Sequence, residues 1–217
     1  MEETFILIFE LAGTVAFSVS GALTAINKRM DVLGVMILGL CTAAGGGIIR
    51  DLILGYTPPA AFRNPLYSIV ALLTAVIIFL PPVTRSIRKN ERKFNAVLTV
   101  FDSLGLAIFT VVGIKAAHTE SDAHGVYLFL FVGVLTGVGG GILRDIFAGE
   151  RPSVFVEHIY ATASILGAAL CVALWDTAGS YLSMLAGSLL IFVLRILSAH
   201  YRWNLPKAEI QEENSTK

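Results

Sequence analysis

GGGIIRDLILG, residues 45–55, sets three consecutive glycines, then an arginine and an aspartate, inside one of the most apolar stretches of the chain. Nearly the same string returns at residues 139–149 as GGGILRDIFAG. One such string could be an accident of composition. Two in matching surroundings make an internal repeat, and the repeat decides how the rest of the chain is read.

The match extends outward from the glycines. Setting Phe9 against Phe101 aligns Gly13 with Gly105, Phe17 with Phe109, Gly21 with Gly113 and Ala25 with Ala117, and it pairs Glu10 with Asp102. After a two-residue shift, Gly39 falls on Gly133 and Thr42 on Thr136, and the correspondence runs through Arg50, Asp51, Gly55 and Pro58 against Arg144, Asp145, Gly149 and Pro152.

The medium around these strings follows from composition. Of 217 residues, 55% are hydrophobic and 15% charged, and the mean hydropathy is +0.75. This is the balance of an integral membrane protein rather than a soluble domain. A formal net charge of zero offers nothing to a polyanion, so nucleic acid is excluded as a partner. The start, MEETF, has the wrong charge for a secretory signal, so the first apolar segment is expected to stay in the protein. Cys41 and Cys171 both sit in apolar runs and point to neither a disulfide nor a metal.

A spanning helix needs about 20 apolar residues. Seven segments qualify or nearly do: 4–26, 32–54, 65–80, 94–117, 125–148, 156–175 and 180–200. They are too long and too uniformly apolar for the alternating strands of a barrel. The basic loop with Arg85, Arg88, Lys89, Arg92 and Lys93, taken as cytoplasmic, puts the N-terminus outside and the C-terminus inside. The expected organisation is one transmembrane domain over residues 1–203, then a polar tail, 204–217. Repeat one covers about 4–83, repeat two about 94–176, and a seventh helix about 179–200. Three spans per repeat is an odd number, so the second copy enters the membrane from the opposite side. The expected fold class is therefore all-α, two inverted three-helix repeats plus a seventh helix, an architecture of permeation proteins.

Three glycines together favour a break in the second and fifth spans, at Gly45, Gly46 and Gly47 and at Gly139, Gly140 and Gly141. A broken backbone must face a neighbouring helix or a wet cavity, where freed carbonyls suit a cation and a half-helix N-terminus suits an anion. The alternative is that the glycines let helices approach closely. Arg50, Asp51, Arg144 and Asp145 lie a few residues inside the span ends, where charge is costly unless paired or hydrated. They line the path or brace the helix beside it, and Glu10 and Asp102 are their expected partners. Arg195, in LLIFVLRILSAH (189–200), stands about two turns from its span end; it joins the charges that line or brace the path, or, the favoured reading, snorkels to the cytoplasmic surface. His118, His124, His158 and His200 show no metal-ligand spacing. With no GxSxG, HExxH or phosphate loop, the chain does not read as an enzyme, and no cofactor is expected.

The doubled Gly-Arg-Asp strings in two three-helix repeats followed by a seventh helix resemble the prokaryotic relatives of the trimeric intracellular cation (TRIC) channels. Many bacterial members of that family also carry the name of glycine transporters. The resemblance covers about residues 5–200. It implies a homotrimer in the inner (plasma) membrane, in contact with membrane lipid. Each protomer would have its own pore around kinked second and fifth helices, conducting monovalent cations such as K⁺. Two function classes follow, a K⁺-permeable channel and a secondary transporter of a small amino acid such as glycine. A membrane protein whose buried charges only stabilise the fold is a third.

Overall fold

The computed structural model describes residues 2–120, 125–156 and 159–203. Residues 121–124, 157–158 and the tail from 204 onward, with His124 and His158 among them, lie outside the described residues. The described residues form α1 (Glu2–Asn27), α2 (Val32–Ile53), α3 (Ala60–Arg63), α4 (Pro65–Phe79), α5 (Pro81–Arg88), α6 (Glu91–Glu120), α7 (Val126–Phe147), α8 (Ser153–Val156) and α9 (Ala161–Tyr201). Among the described residues, five helices are long and apolar enough to cross a membrane, or six if α4 and α5, bent by 68° at Leu80, count as one span. This is a multi-pass, all-helical membrane protein.

Local chemistry sets the helix ends. The Asp31 carboxylate accepts from Gly34 N at 2.8 Å to cap α2. Asn64 caps α4, with Pro65 in its first turn. Gly55 and Gly149 take positive φ, 80° and 69°. Each closes its helix with the paired bonds of a Schellman turn: Tyr56 N to Asp51 O and Gly55 N to Leu52 O, then Glu150 N to Asp145 O and Gly149 N to Ile146 O. The last glycine of each quoted string is thus a helix stop.

The expected break at the glycine triplets is not there. α2 and α7 run as unbroken helices through Gly45–Gly46–Gly47 and Gly139–Gly140–Gly141. The physical reason is close packing of the two helices. A Cβ at Gly46 would overlap the carbonyl oxygen of Thr136, and one at Gly140 would overlap that of Thr42. The small residues let two backbones meet while each keeps its own hydrogen bonds, which costs less in hydrocarbon than opening them. Because Thr42 meets Gly140 and Gly46 meets Thr136, the two helices run antiparallel.

α1, α2, α6 and α7 pack on one another as a central group, with α4 against α1 and α2 and α9 against α6 and α7. The inward faces set small polar residues among apolar ones, with Ser18, Ser20, Thr42, Thr110, Thr136 and Ser164 buried beside Phe17, Leu38 and Leu106. The outward faces carry large apolar residues at helical spacing, such as Ile69, Leu73 and Ile77 on α4. At about 1.5 Å per residue, α9 would be ~60 Å long if straight, about twice the hydrocarbon thickness. Instead it leaves helical geometry at Gly179 (φ 79°, ψ 164°). Its halves pack against each other in opposite directions: a Cβ at Gly187 would sit 2.8 Å from the Gly167 carbonyl oxygen and 2.8 Å from Cys171 Cβ.

Candidate functional site

The charged residues singled out within the apolar runs gather in two clusters at opposite ends of the α2–α7 crossing. In the first, Arg50 near the end of α2 bonds Asp51 Oδ1 through Nε at 2.8 Å and through Nη2 at 2.8 Å. The other oxygen, Asp51 Oδ2, accepts from Ala60 N at 2.7 Å. One carboxylate therefore fixes both the guanidinium beside it and the loop that returns the chain to α4. Tyr67, in the first turns of α4, donates its hydroxyl to Glu10 Oε2 at 2.5 Å. A cavity of about 130 Å³ opens here, lined by Glu10, Thr14, Gly47, Arg50, Asp51 and Tyr67 among others.

The second cluster repeats the plan at the end of α7. Arg144 Nε bonds Asp145 Oδ1 at 2.8 Å, and Asp145 Oδ2 accepts from Ser153 N at 2.6 Å. Tyr160 donates to Asp102 Oδ1 at 3.3 Å, as Tyr67 does to Glu10. Here the contacts are denser. Arg144 Nη1 reaches Ser20 Oγ at 2.6 Å and also pairs with Asp102. Arg195, from the second half of α9, approaches Asp102 Oδ2 at 3.7 Å and lies over the Tyr160 ring, 4.4 Å from its centroid. A cavity of about 140 Å³ is lined by Thr24, Asp102, Arg144, Asp145, Glu150 and Arg195 among others.

The structure corrects two expectations. Arg195 does not snorkel. It is 3% exposed, because a buried carboxylate and an aromatic face compensate its charge more fully than a lipid interface two turns away. Nor does Glu10 partner an arginine: Asp102 takes Arg144 and Arg195, whereas Glu10 is held by Tyr67. Sequence reading missed Tyr67, Tyr160 and Ser20. A signal for the tyrosines was available, since one further one-residue shift beyond Pro58 and Pro152 sets Tyr67 against Tyr160 and Ala71 against Ser164. The second pair occupies matching places, with Ser18 Oγ donating to Ala71 O at 2.6 Å and Thr110 Oγ1 lying 2.8 Å from Ser164 Oγ.

Within each glycine triplet the positions do different things. The second, Gly46 or Gly140, is the crossing point. The third, Gly47 or Gly141, sits one turn before the arginine, with a guanidinium nitrogen 3.9 Å from where its Cβ would be in both cases. Between the clusters the rings of Phe17 and Phe109 stack at 5.3 Å.

A family model described as glycine transporter matches the chain twice, over residues 7–81 and 99–176. A UPF0126 membrane protein of Deinococcus radiodurans is 38% identical over 205 residues, spanning 94% of this chain and 92% of that one. The chain belongs to the glycine-transporter family of UPF0126 membrane proteins. Another relative, the inner membrane protein YadS of Escherichia coli K12, is 36% identical over 197 residues, 90% of this chain and 91% of that one. Among solved structures, the TRIC trimeric intracellular cation channel orthologue from Rhodobacter sphaeroides superposes with a TM-score of 0.83 at 35% identity, covering 92% of this chain and 100% of that one. These likenesses are to membrane proteins and a channel, not to enzymes. The family model's two matches each contain the equivalent four residues of one cluster: Glu10, Arg50, Asp51 and Tyr67 in the first, Asp102, Arg144, Asp145 and Tyr160 in the second. Arg195 falls outside both.

Proposed function

We propose that the protein is a monovalent-cation channel, permeable to K⁺, that works as a homotrimer with a path through each protomer beside α2 and α7. The observation that carries this reading is the pair of cavities, each lined by at least one arginine and two carboxylates, at opposite ends of the α2–α7 crossing, in a chain alike over nearly its whole length to a TRIC channel. In the inferred topology α1, α2, the bent pair α4–α5, α6, α7 and the two halves of α9 make seven spans, the first six forming an inverted repeat. Support comes from reciprocal contacts. Equivalent residues meet across the centre, Gly46 with Thr136 and Gly140 with Thr42, and Phe17 stacks on its own counterpart Phe109. The N-terminus is outside and the C-terminus cytoplasmic, in a single transmembrane domain of the inner membrane.

The path runs from the Glu10 cavity to the Asp102 cavity. Phe17 and Phe109, stacked where the glycine triplets bring α2 and α7 together, close it in this conformation. The glycines act by leaving space: without side chains at 46, 47, 140 and 141, helix contact and guanidinium share a narrow section. Pairing of Arg50 with Asp51 and of Arg144 with Asp102 and Asp145 offsets positive charge that would repel cations. The second reading, transport of glycine, draws on the family model's description and on the presence of both Glu10 and Arg50 at one cavity. The channel reading is favoured because the likeness that covers nearly the whole chain at 35% identity is to a TRIC channel, whereas the transporter reading draws on the family model's description.

Purified protein in planar bilayers is expected to give unitary currents that reverse at the K⁺ equilibrium potential. Silence in bilayers, together with saturable, gradient-coupled glycine uptake by liposomes, would replace the channel with the transporter.

A further inference from the structure

The two clusters occupy equivalent places yet differ in charge. At the Asp102 end, two carboxylates, Asp102 and Asp145, meet two guanidiniums, Arg144 and Arg195. Glu150, which also lines that cavity, is bound by Lys28 at 2.7 Å. At the Glu10 end, two carboxylates, Glu10 and Asp51, share a cavity with a single guanidinium, Arg50, which bonds Asp51 through Nε and Nη2. The imbalance has a simple source. Arg195 comes from the second half of α9, beyond both repeat-matching segments, so the first repeat has no counterpart to it.

The Glu10 end also has the ligand atoms a cation needs. The Tyr67 hydroxyl donates a hydrogen bond to Glu10 Oε2, and the Thr14 hydroxyl donates one to the Glu10 backbone carbonyl at 2.9 Å. Both oxygens keep lone pairs. At the ~30 Å³ share of a water molecule in the liquid, a cavity of about 130 Å³ holds about four waters, or an ion with part of its hydration shell. One uncompensated carboxylate matches one positive charge, whereas a divalent ion would draw on more carboxylate oxygen than this pocket offers free.

We propose that the Glu10 cavity is a binding site for one monovalent cation, with the Glu10 carboxylate as its charged ligand and Tyr67 Oη and Thr14 Oγ1 as neutral ones. The Asp102 cavity, neutralised by Arg195, binds none. This deepens the channel reading and rests on it, and it makes the path asymmetric. Cations are concentrated at one mouth only, and the side chain that sets the difference sits on the helix outside the repeat.

Two measurements test it. In detergent, the melting temperature of the intact protein is followed as K⁺ replaces N-methyl-D-glucamine. The wild type is expected to rise saturably and Glu10→Gln to lose the rise, while Tyr67→Phe keeps a weaker one. Gln at 10 still accepts from Tyr67, so Glu10→Gln should elute from gel filtration as the wild type does. No rise in the wild type, or an equal rise in Glu10→Gln, overturns the site. In single-channel recordings with K⁺ varied on one side at a time, half-saturation is expected at about five- to tenfold lower K⁺ on the Glu10 side, the effect of one unit charge in a wet site. Glu10→Gln should equalise the sides, and equal values in the wild type would overturn the asymmetry. If the protein instead moves glycine and passes no current, the channel reading fails, but the K⁺-dependent melting, which needs no flux, still decides the site.

Discussion

At the scale of single residues, the glycine triplet behaves as three positions rather than one motif. A methyl group at Gly46 meets backbone, the Thr136 carbonyl, which cannot swing aside, so Gly46→Ala must push α2 and α7 apart. Overpacking of this kind costs about 1–3 kcal/mol. Gly46→Ala and Gly140→Ala are therefore expected to lower the melting temperature of the purified protein by several degrees. Gly47→Ala, whose new Cβ finds its nearest neighbour at 3.9 Å, should leave it unchanged or raise it slightly through better helix propensity. Equal losses at all three positions would mean that the triplet acts through backbone flexibility and not through contact. The charges divide in the same way. Asp102→Asn takes the carboxylate from two buried guanidiniums and should cost about 3–5 kcal/mol, seen as loss of folded protein on gel filtration. Glu10→Gln, at a carboxylate bonded by a neutral tyrosine, should fold normally.

At the scale of elements, the informative feature is the reversal within α9. Gly179 holds a φ/ψ combination that residues with a Cβ essentially never adopt. The reversal lets Arg195 come back down the molecule to Asp102, and Gly167 and Gly187 let the two arms touch. Gly179→Ala is expected to cost about 1–3 kcal/mol, visible as a lower melting temperature and, because Arg195 is then misplaced, as weaker tolerance of Asp145→Asn in the same background. Additive effects of the two changes would show that the turn and the cluster are uncoupled. The short helices α3 and α8 illustrate a second point. Each begins on a backbone N–H given to an aspartate from the end of the preceding long helix, at Ala60 and at Ser153. The aspartate of each Arg-Asp pair is thereby a clamp on the connecting loop, a role that the strings quoted from the sequence do not announce.

At the scale of the whole molecule, the α2–α7 crossing puts one charge cluster at each end, and the inferred topology assigns the Glu10 end to the outer face. The orientation can be checked directly. A single cysteine introduced at Glu2 should react with a membrane-impermeant maleimide in intact cells, while one at Lys207 should react only after the membrane is opened; the reverse pattern would invert the assignment. Much of this organisation was legible in the sequence. The apolar runs located the helices, since hydrocarbon demands long unbroken stretches, and the doubled string located both charge clusters. The reading at the glycines failed because a run without side chains signals equally a flexible backbone and a close approach. Composition cannot separate the two; only the neighbour across the gap can.

The sequence by itself determined the medium, the helices, the duplication and the identity of the charged residues, because each is a property of local composition or of a comparison between two stretches of one chain. The tertiary structure decided what the glycines do, which acid holds which arginine, and that Arg195 turns inward. Those outcomes depend on residues far apart in the chain, Gly46 with Thr136, Arg144 with Ser20 and Asp102 with Arg195. In a medium that solvates no charge, each buried group is fixed by the partner that packing brings to it.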